Sequence, residues 1–514
     1  MVEAGPSREP GPGEHERHLA ISATAQQISQ VVGILSMLAA ITVLARRLTL
    51  SEFGTYGLLV SLTSYVLFAQ LSVETAAVKA IAEAKDQTER DRAFSTATAL
   101  YVVLGLAAGA VIAGAGSAVL ALFGIPAGLH HQAQASVFAL ALVTAVAWPL
   151  KVFQDVLRGS QLFVASAAAE AVAFVLIGAG LISLALEGAA LWLLVGAGAS
   201  APLLTGAVSA VGVRRWRRAY RFKREAITFA SIRSFLGLST YLFLSGLASL
   251  VIYSLDRAVL ATFRSAAAVG LYEGPVRAHN LVLQAQVALA TPVVSASARY
   301  RAERDVQRTR DLLLRGTRYM IAALLPVIIV LVILAKPILT VWLGPKFGVA
   351  ATAMSLLVGY WLVNVSLTVG GRMLITAGKA RALAVYAAAV ALVNLGLSLG
   401  LAPSMGLNGV VLGTTIAYLL GVPFFLRLTL RTFPVRLADL AREAWLPGYV
   451  TGAVVAAGLL SVRLTVTLDT LPKVLGAGLV SVLAYWGLYY TLWLRPAERV
   501  LINEVLRAPG RRPR

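Results

Sequence analysis

The chain has 514 residues, of which 58% are hydrophobic and only 13% charged, with a formal net charge of +21 and no cysteine. A water-soluble domain carries roughly 25% charged residues, so this chain has too much apolar surface for a soluble fold. The missing cysteines exclude a disulfide framework, a thiol nucleophile and a cysteine metal cage.

In chain order, residues 1–20 are polar and rich in Gly and Pro and read as a disordered tail. Fourteen apolar blocks follow, at about 24–45, 54–71, 94–120, 135–153, 165–186, 189–213, 238–260, 269–295, 317–335, 350–371, 382–401, 407–426, 447–464 and 474–494. Blocks of this length cross a hydrocarbon core of roughly 30 Å as helices. The first block is too long for a cleaved signal and is expected to remain a span. The expected fold class is therefore an all-α polytopic membrane protein of about 14 transmembrane helices.

Charge supports that map. With the N-terminus inside, 36 of the 45 Lys and Arg are assigned to the inside segments, leaving 9 for the outside loops and the spans themselves. Such an asymmetry predicts an even number of spans with both termini cytoplasmic. The basic residues sit in loops rather than on an aromatic-interleaved surface, which points to anionic lipid headgroups and not to nucleic acid. All outside loops are short, so no extramembrane catalytic domain is expected.

An internal repeat is also visible. Phe53-Gly54-Thr55-Tyr56 and Val269-Gly270-Leu271-Tyr272 are 216 apart; Arg158-Gly159-Ser160 and Ala377-Gly378-Lys379 are 219 apart; Gly188-Ala189-Ala190 and Gly406-Leu407-Asn408 are 218 apart. Six helices per repeat make the halves parallel, with a central cavity expected between two bundles. The organisation predicted is an N-lobe at 21–213, a basic linker at 214–237, a C-lobe at 238–426 and a basic amphipathic linker at 427–446. Two further helices occupy 447–494, and 495–514 form a basic tail.

Charged groups at bilayer depth are costly and face a cavity or a partner. On span eight, Glu273, Arg277, Asn280, Gln284 and Thr291 recur at helical spacing and share one face. Span seven adds Ser245, Ser249, Asp256 and Arg257, and span one adds Gln26 and Gln30. One reading is a hydrated cavity in which Arg257, Arg277, Lys151 and Arg372 hold an anionic headgroup, since a guanidinium fork matches phosphate oxygens. Asn280 and Gln284 would then hydrogen-bond sugar hydroxyls, with Asp256 and Glu273 as coupling or structural charges. The competing reading makes Glu273–Arg277 a structural pair, Asp256–Arg257 an interfacial pair, Asn280–Gln284 helix glue, and Lys151 and Arg372 topology determinants. Arg46 and Arg47 read as interfacial anchors, and His130-His131 as an incidental loop pair. No metal-ligand spacing, nucleotide loop or catalytic constellation is present, so neither a cofactor nor an enzyme activity is expected.

Taken together, Ala45-Arg46-Arg47-Leu48 through Glu52-Phe53-Gly54-Thr55-Tyr56, Asp256-Arg257 before Val269-Gly270-Leu271-Tyr272, and Met405 through Gly413 carry a family likeness. The sequence resembles the polysaccharide-transport (Wzx-type) flippases of the multidrug/oligosaccharidyl-lipid/polysaccharide exporter superfamily, over essentially the whole chain after residue 20. That resemblance implies two six-helix lobes around a central cavity plus two terminal helices, in a bacterial cytoplasmic membrane. It implies movement of undecaprenyl-diphosphate-linked oligosaccharide to the outer leaflet, alongside polysaccharide polymerase and export machinery. A multidrug or small-cation antiporter of the same superfamily, and more remotely a membrane polysaccharide polymerase, stay open as alternatives.

Overall fold

Apolar blocks that must satisfy every backbone N–H and C=O without water have helices as their solution, and helices dominate the chain. The structure, a computed structural model, describes residues 12–216, 220–233, 235, 255–494, 496 and 498–500, with the backbone alone at 12–20, 64–69, 71, 72, 119, 215 and 216. Most of expected span seven, including Ser245 and Ser249, lies outside the described residues, as do the N-terminal tail to residue 11 and most of the C-terminal one.

Two compact units are present, Met1–Ser254 with Ser265–Ala267, and Leu255–Arg264 with Ala268–Arg514. The first contains α1 (Pro12–Arg47), α2 (Leu50–Glu83), α3 (Gln87–Leu120), α4 (His130–Gly159), α5 (Phe163–Leu186), α6 (Leu191–Ala199) and α7 (Ala201–Trp216). A capping box opens α2: Thr49 accepts from the Glu52 backbone N–H at 3.2 Å, and Glu52 accepts from the Thr49 N–H at 2.8 Å. Within this unit α4 packs against α2, α3, α6 and α7, while α1 lies along α5. Close approach of α4 and α7 depends on Gly206, where a Cβ would stand 2.7 Å from the Leu150 carbonyl oxygen. Small residues at such crossings let backbones approach where lipid supplies no hydrophobic drive.

The second unit begins with a helical segment, α8 (255–263). It continues through α9 (Ala266–Ala302), α10 (Val306–Ile333) and α11 (Ala335–Trp342). Three short pieces follow, α12 (Ala351–Gly359), α13 (Trp361–Asn364) and α14 (Thr368–Thr376), and then the long α15 (Ala380–Thr432). After it come α16 (Leu437–Asp439), a π-helical turn at Leu440–Trp445, α17 (Leu446–Thr465) and α18 (Leu471–Leu492). Here α10 packs against α12, α17 and α18, and α15 against α12 and α14.

Ten helices among the described residues are long and apolar enough to cross a membrane, or eleven if the α6–α7 pair, bent by 49°, forms one span. Two expected spans differ in detail from straight helices. The 189–213 block breaks at Ser200, just before Pro202, whose ring removes a backbone donor. The 350–371 block is divided at Tyr360 and by a 3-10 turn at Val365–Leu367.

Spans 382–401 and 407–426 run together as α15 around one non-helical residue, Gly406, at φ 57° and ψ −129°. Its repeat counterpart Gly188 also has positive φ, at 69°. The two glycines that the sequence pairs at an offset of 218 thus both have positive φ. Gly406→Ala is expected to cost about 1–3 kcal/mol, because an L side chain rarely adopts this backbone and its Cβ would lie 3.2 Å from Arg264 Nε. Thermal unfolding in detergent, with Gly400→Ala in the regular helix as control, measures the difference.

Candidate functional site

Expected site residues from spans seven and eight meet inside the second unit. The hairpin from α8 into α9 brings Arg257 to Glu273, 16 residues on, with Nε donating to Oε1 at 2.7 Å. One turn later, Arg277 donates to the other oxygen, Oε2, at 3.2 Å. Glu273 is 1% exposed and holds two guanidiniums on its two oxygens. Arg277 Nε is buried and makes no hydrogen bond with a described residue. The Arg257 guanidinium also lies 5.8 Å from the Tyr272 ring centre. Two guanidiniums thus share the Glu273 carboxylate, and the Asp256 carboxylate lies beside them.

Beside it, Asp256 is buried and accepts from the Tyr272 hydroxyl at 2.8 Å. Thr414 Oγ1 lies 3.4 Å from Asp256 Oδ2, 3.3 Å from Asn394 Oδ1 and 3.3 Å from the Val410 carbonyl. Ser398 Oγ lies 2.9 Å from that same Asn394 oxygen. Three hydroxyls, on Tyr272, Ser398 and Thr414, thus surround three acceptor groups: a carboxylate, an amide oxygen and a backbone carbonyl. An all-oxygen group built around a buried carboxylate suits a proton or a hard cation. Among the described residues, no three His, Cys, Asp or Glu side chains are grouped as metal ligands.

The rest of the α9 stripe changes character along the helix. Asn280 is half-buried and Gln284 exposed, and neither hydrogen-bonds to a described residue. Thr291 is exposed and bonds back to Val287 O at 2.9 Å. A second polar face of α9 ties it to its own unit. His279 Nδ1 accepts from Trp361 Nε1 at 3.1 Å, Gln286 donates to Thr368 at 2.7 Å, and Ser297 pairs with Thr376 at 2.7 Å. Their separations of 7 and 11 residues are helical multiples, a signal readable from sequence. Arg372, on α14, is half-buried and makes no ion pair with a described residue.

Lys151 is elsewhere, in the first unit, and it is paired. It is 7% exposed and reaches Glu74 at 3.1 Å and Asp155 at 3.0 Å. Asp155 also accepts from Tyr101 at 2.6 Å. Arg158 pairs with Glu74 and, at 2.5 Å, with Glu170; Glu170 further accepts from Gln154 and from Gln26 at 2.9 Å. Three carboxylates and two cations on α2, α4 and α5 form one network, with an amide from α1. Most of these residues escape a span-by-span reading, which ends the fourth span near residue 153. The helix continues to Gly159, and Lys151, Asp155 and Arg158 then share a face at spacings of 4 and 3.

The described residues form an all-helical fold with ten or eleven candidate membrane spans and charge clusters buried among them. The lipid II flippase MurJ in an inward closed conformation superposes with a TM-score of 0.70 at 16% identity, covering 93% of this chain and all of that one. An inward-facing multidrug resistance MATE family transporter of the MOP superfamily gives 0.65 at 15% identity, covering 80% of this chain and 98% of that one. A MOP superfamily transporter from Pyrococcus furiosus, described as having a binding pocket of reversed polarity, gives 0.53 at 17% identity, covering 81% and 95%. No curated protein matches the chain by sequence. Residues 43–352 match the polysaccharide biosynthesis protein family, and the chain belongs to it.

Proposed function

We propose that the protein is a flippase that moves undecaprenyl-diphosphate-linked oligosaccharide from the cytoplasmic to the outer leaflet by alternating access. The observation that carries this reading is the pair of guanidiniums, Arg257 and Arg277, set on the one Glu273 carboxylate in a chain of the polysaccharide biosynthesis protein family. The Arg277 Nε makes no hydrogen bond with a described residue and so keeps a donor for a diphosphate, which accepts bidentate hydrogen bonds. Asn280 and Gln284, one and two turns further along α9, are amides of the kind that hydrogen-bond sugar hydroxyls. Arg372 is a further cation with no ion pair among described residues, whereas Lys151 has two carboxylate partners and acts in the structure of its unit.

In this reading residues 21–213 and 238–426 are the moving lobes, of a total of 14 spans in a bacterial cytoplasmic membrane with both termini inside. The Asp256 cluster is the coupling element, because a buried carboxylate ringed by oxygen atoms favours binding a cation that can be exchanged during a cycle. The same cluster would serve a cation antiporter, which is the second reading.

Reconstitution into liposomes with a fluorescent undecaprenyl-diphosphate oligosaccharide tests the proposal. Arg277→Ala is expected to slow transfer between leaflets about tenfold or more, the equivalent of one charged hydrogen-bonding contact, with the fold retained. Transfer indifferent to Arg277→Ala and Arg257→Ala would return both to structural roles. An absence of transfer together with ion-coupled efflux of a small organic cation would establish the antiporter.

A further inference from the structure

Following α7, residues 220–233 and 235 do not hang from the first unit as a loose loop but lie across it. The Arg221 backbone N–H donates to Asp91 at 3.1 Å and that of Lys223 to Ser95 at 2.9 Å. Lys223 Nζ reaches the other Asp91 oxygen at 2.8 Å. Tyr220 OH lies 3.0 Å from Ser160 Oγ in the α4–α5 turn, and Thr96 donates to Ser231 at 3.1 Å. Phe235 is buried in the core around Phe94, Tyr101 and Val152. Asp91 itself is 1% exposed, so a buried carboxylate has been committed to holding this strap.

The outward side of the strap is unlike its inward side. Phe222 is 55% exposed and Phe229 is 79% exposed. Arg221, Arg224 and Arg233 are exposed beside them and make no ion pair with a described residue. Glu225 is the one acidic residue among 220–233. The anchoring points are the first turns of α3 and the turn between α4 and α5, at the ends of spanning helices, where headgroups lie. Aromatic rings and snorkelling cations both favour that layer, and each basic group there attracts anionic lipid.

We propose that the strap is an anionic-phospholipid docking surface, in which Arg221, Arg224 and Arg233 bind headgroup phosphates and Phe222 and Phe229 enter the interfacial layer. Asp91 is its positioning residue: it fixes the backbone so that these side chains face the lipid. The occupant is the headgroup layer rather than a soluble partner because exposed aromatics, and cations that make no ion pair with a described residue, alternate along a strap anchored at the ends of candidate spanning helices.

Since the chain has no cysteine, Ala230→Cys labels the strap alone with a fluorescent bimane. The full chain is reconstituted with brominated phosphatidylglycerol or brominated phosphatidylcholine as quencher. Stronger quenching by the brominated phosphatidylglycerol is expected. Its preference should fall about fivefold for each arginine replaced in Arg221→Gln, Arg224→Gln and Arg233→Gln, and should weaken with salt. Because the three arginines are exposed, the variant should keep the wild-type unfolding temperature. Asp91→Asn should speed backbone hydrogen exchange at Arg221 and Lys223 and reduce the same lipid preference. Equal quenching by the two lipids, or a preference that survives the triple substitution, would overturn the proposal.

Discussion

Glu273→Ala is expected to destabilise the protein by about 3 kcal/mol, at the low end of what removing one partner of a buried ion pair costs. The carboxylate is 1% exposed and is the anion against which both Arg257 and Arg277 are set. Without it both guanidiniums lose the carboxylate that each is set against. Their side chains are 14% and 25% exposed, so both retain some access to solvent, which keeps the cost from the upper end of the range. Glu273→Gln should cost less than the alanine, since an amide oxygen still accepts one of the two hydrogen bonds. Thermal unfolding of wild type and both variants in the same detergent measures the order. An unchanged midpoint for the alanine would mean that the arginines do not depend on this carboxylate.

Lys151→Met is expected to be similarly costly, about 3–5 kcal/mol, for the opposite reason. Here the group left without its cation is Asp155, whose side chain is 0% exposed, while Glu74 loses one of its two cations and keeps Arg158. Tyr101 still donates to Asp155, but a neutral hydroxyl does not balance a buried negative charge. Adding Asp155→Asn removes that charge and should recover a part of the loss. A double-mutant cycle over Lys151 and Asp155 should return a coupling of about 0.5–3 kcal/mol, as expected for residues in contact. Additive effects would mean that the lysine acts through Glu74 alone.

The same two residues illustrate why site residues differ in how readily a sequence discloses them. Glu273 and Arg277 are four apart on one helix, and the spacing alone places them together. Arg257 joins them only because α8 and α9 fold back as a hairpin. The unit 1 network depends on chain separations of 84 residues, between Arg158 and Glu74, and 144, between Gln26 and Glu170. No local period encodes such pairings. The hydroxyls of Ser398 and Thr414 are likewise ordinary helix residues until two helix segments on either side of Gly406 bring them to Asn394 and Asp256.

By itself, the sequence determined that the chain spans a membrane many times as helices, with a polar face on α9. Those features follow from length, hydropathy and helical period, which act locally and leave a regular mark. Only the tertiary structure decided which charges are spoken for. Lys151 and Asp155 neutralise each other within one unit, Arg257 and Arg277 share a single carboxylate, and Asp91 holds a segment that reads in sequence as a basic cytoplasmic linker. The physical reason is that a buried charge must find its counter-charge through space, and which helix supplies it is set by packing rather than by order along the chain.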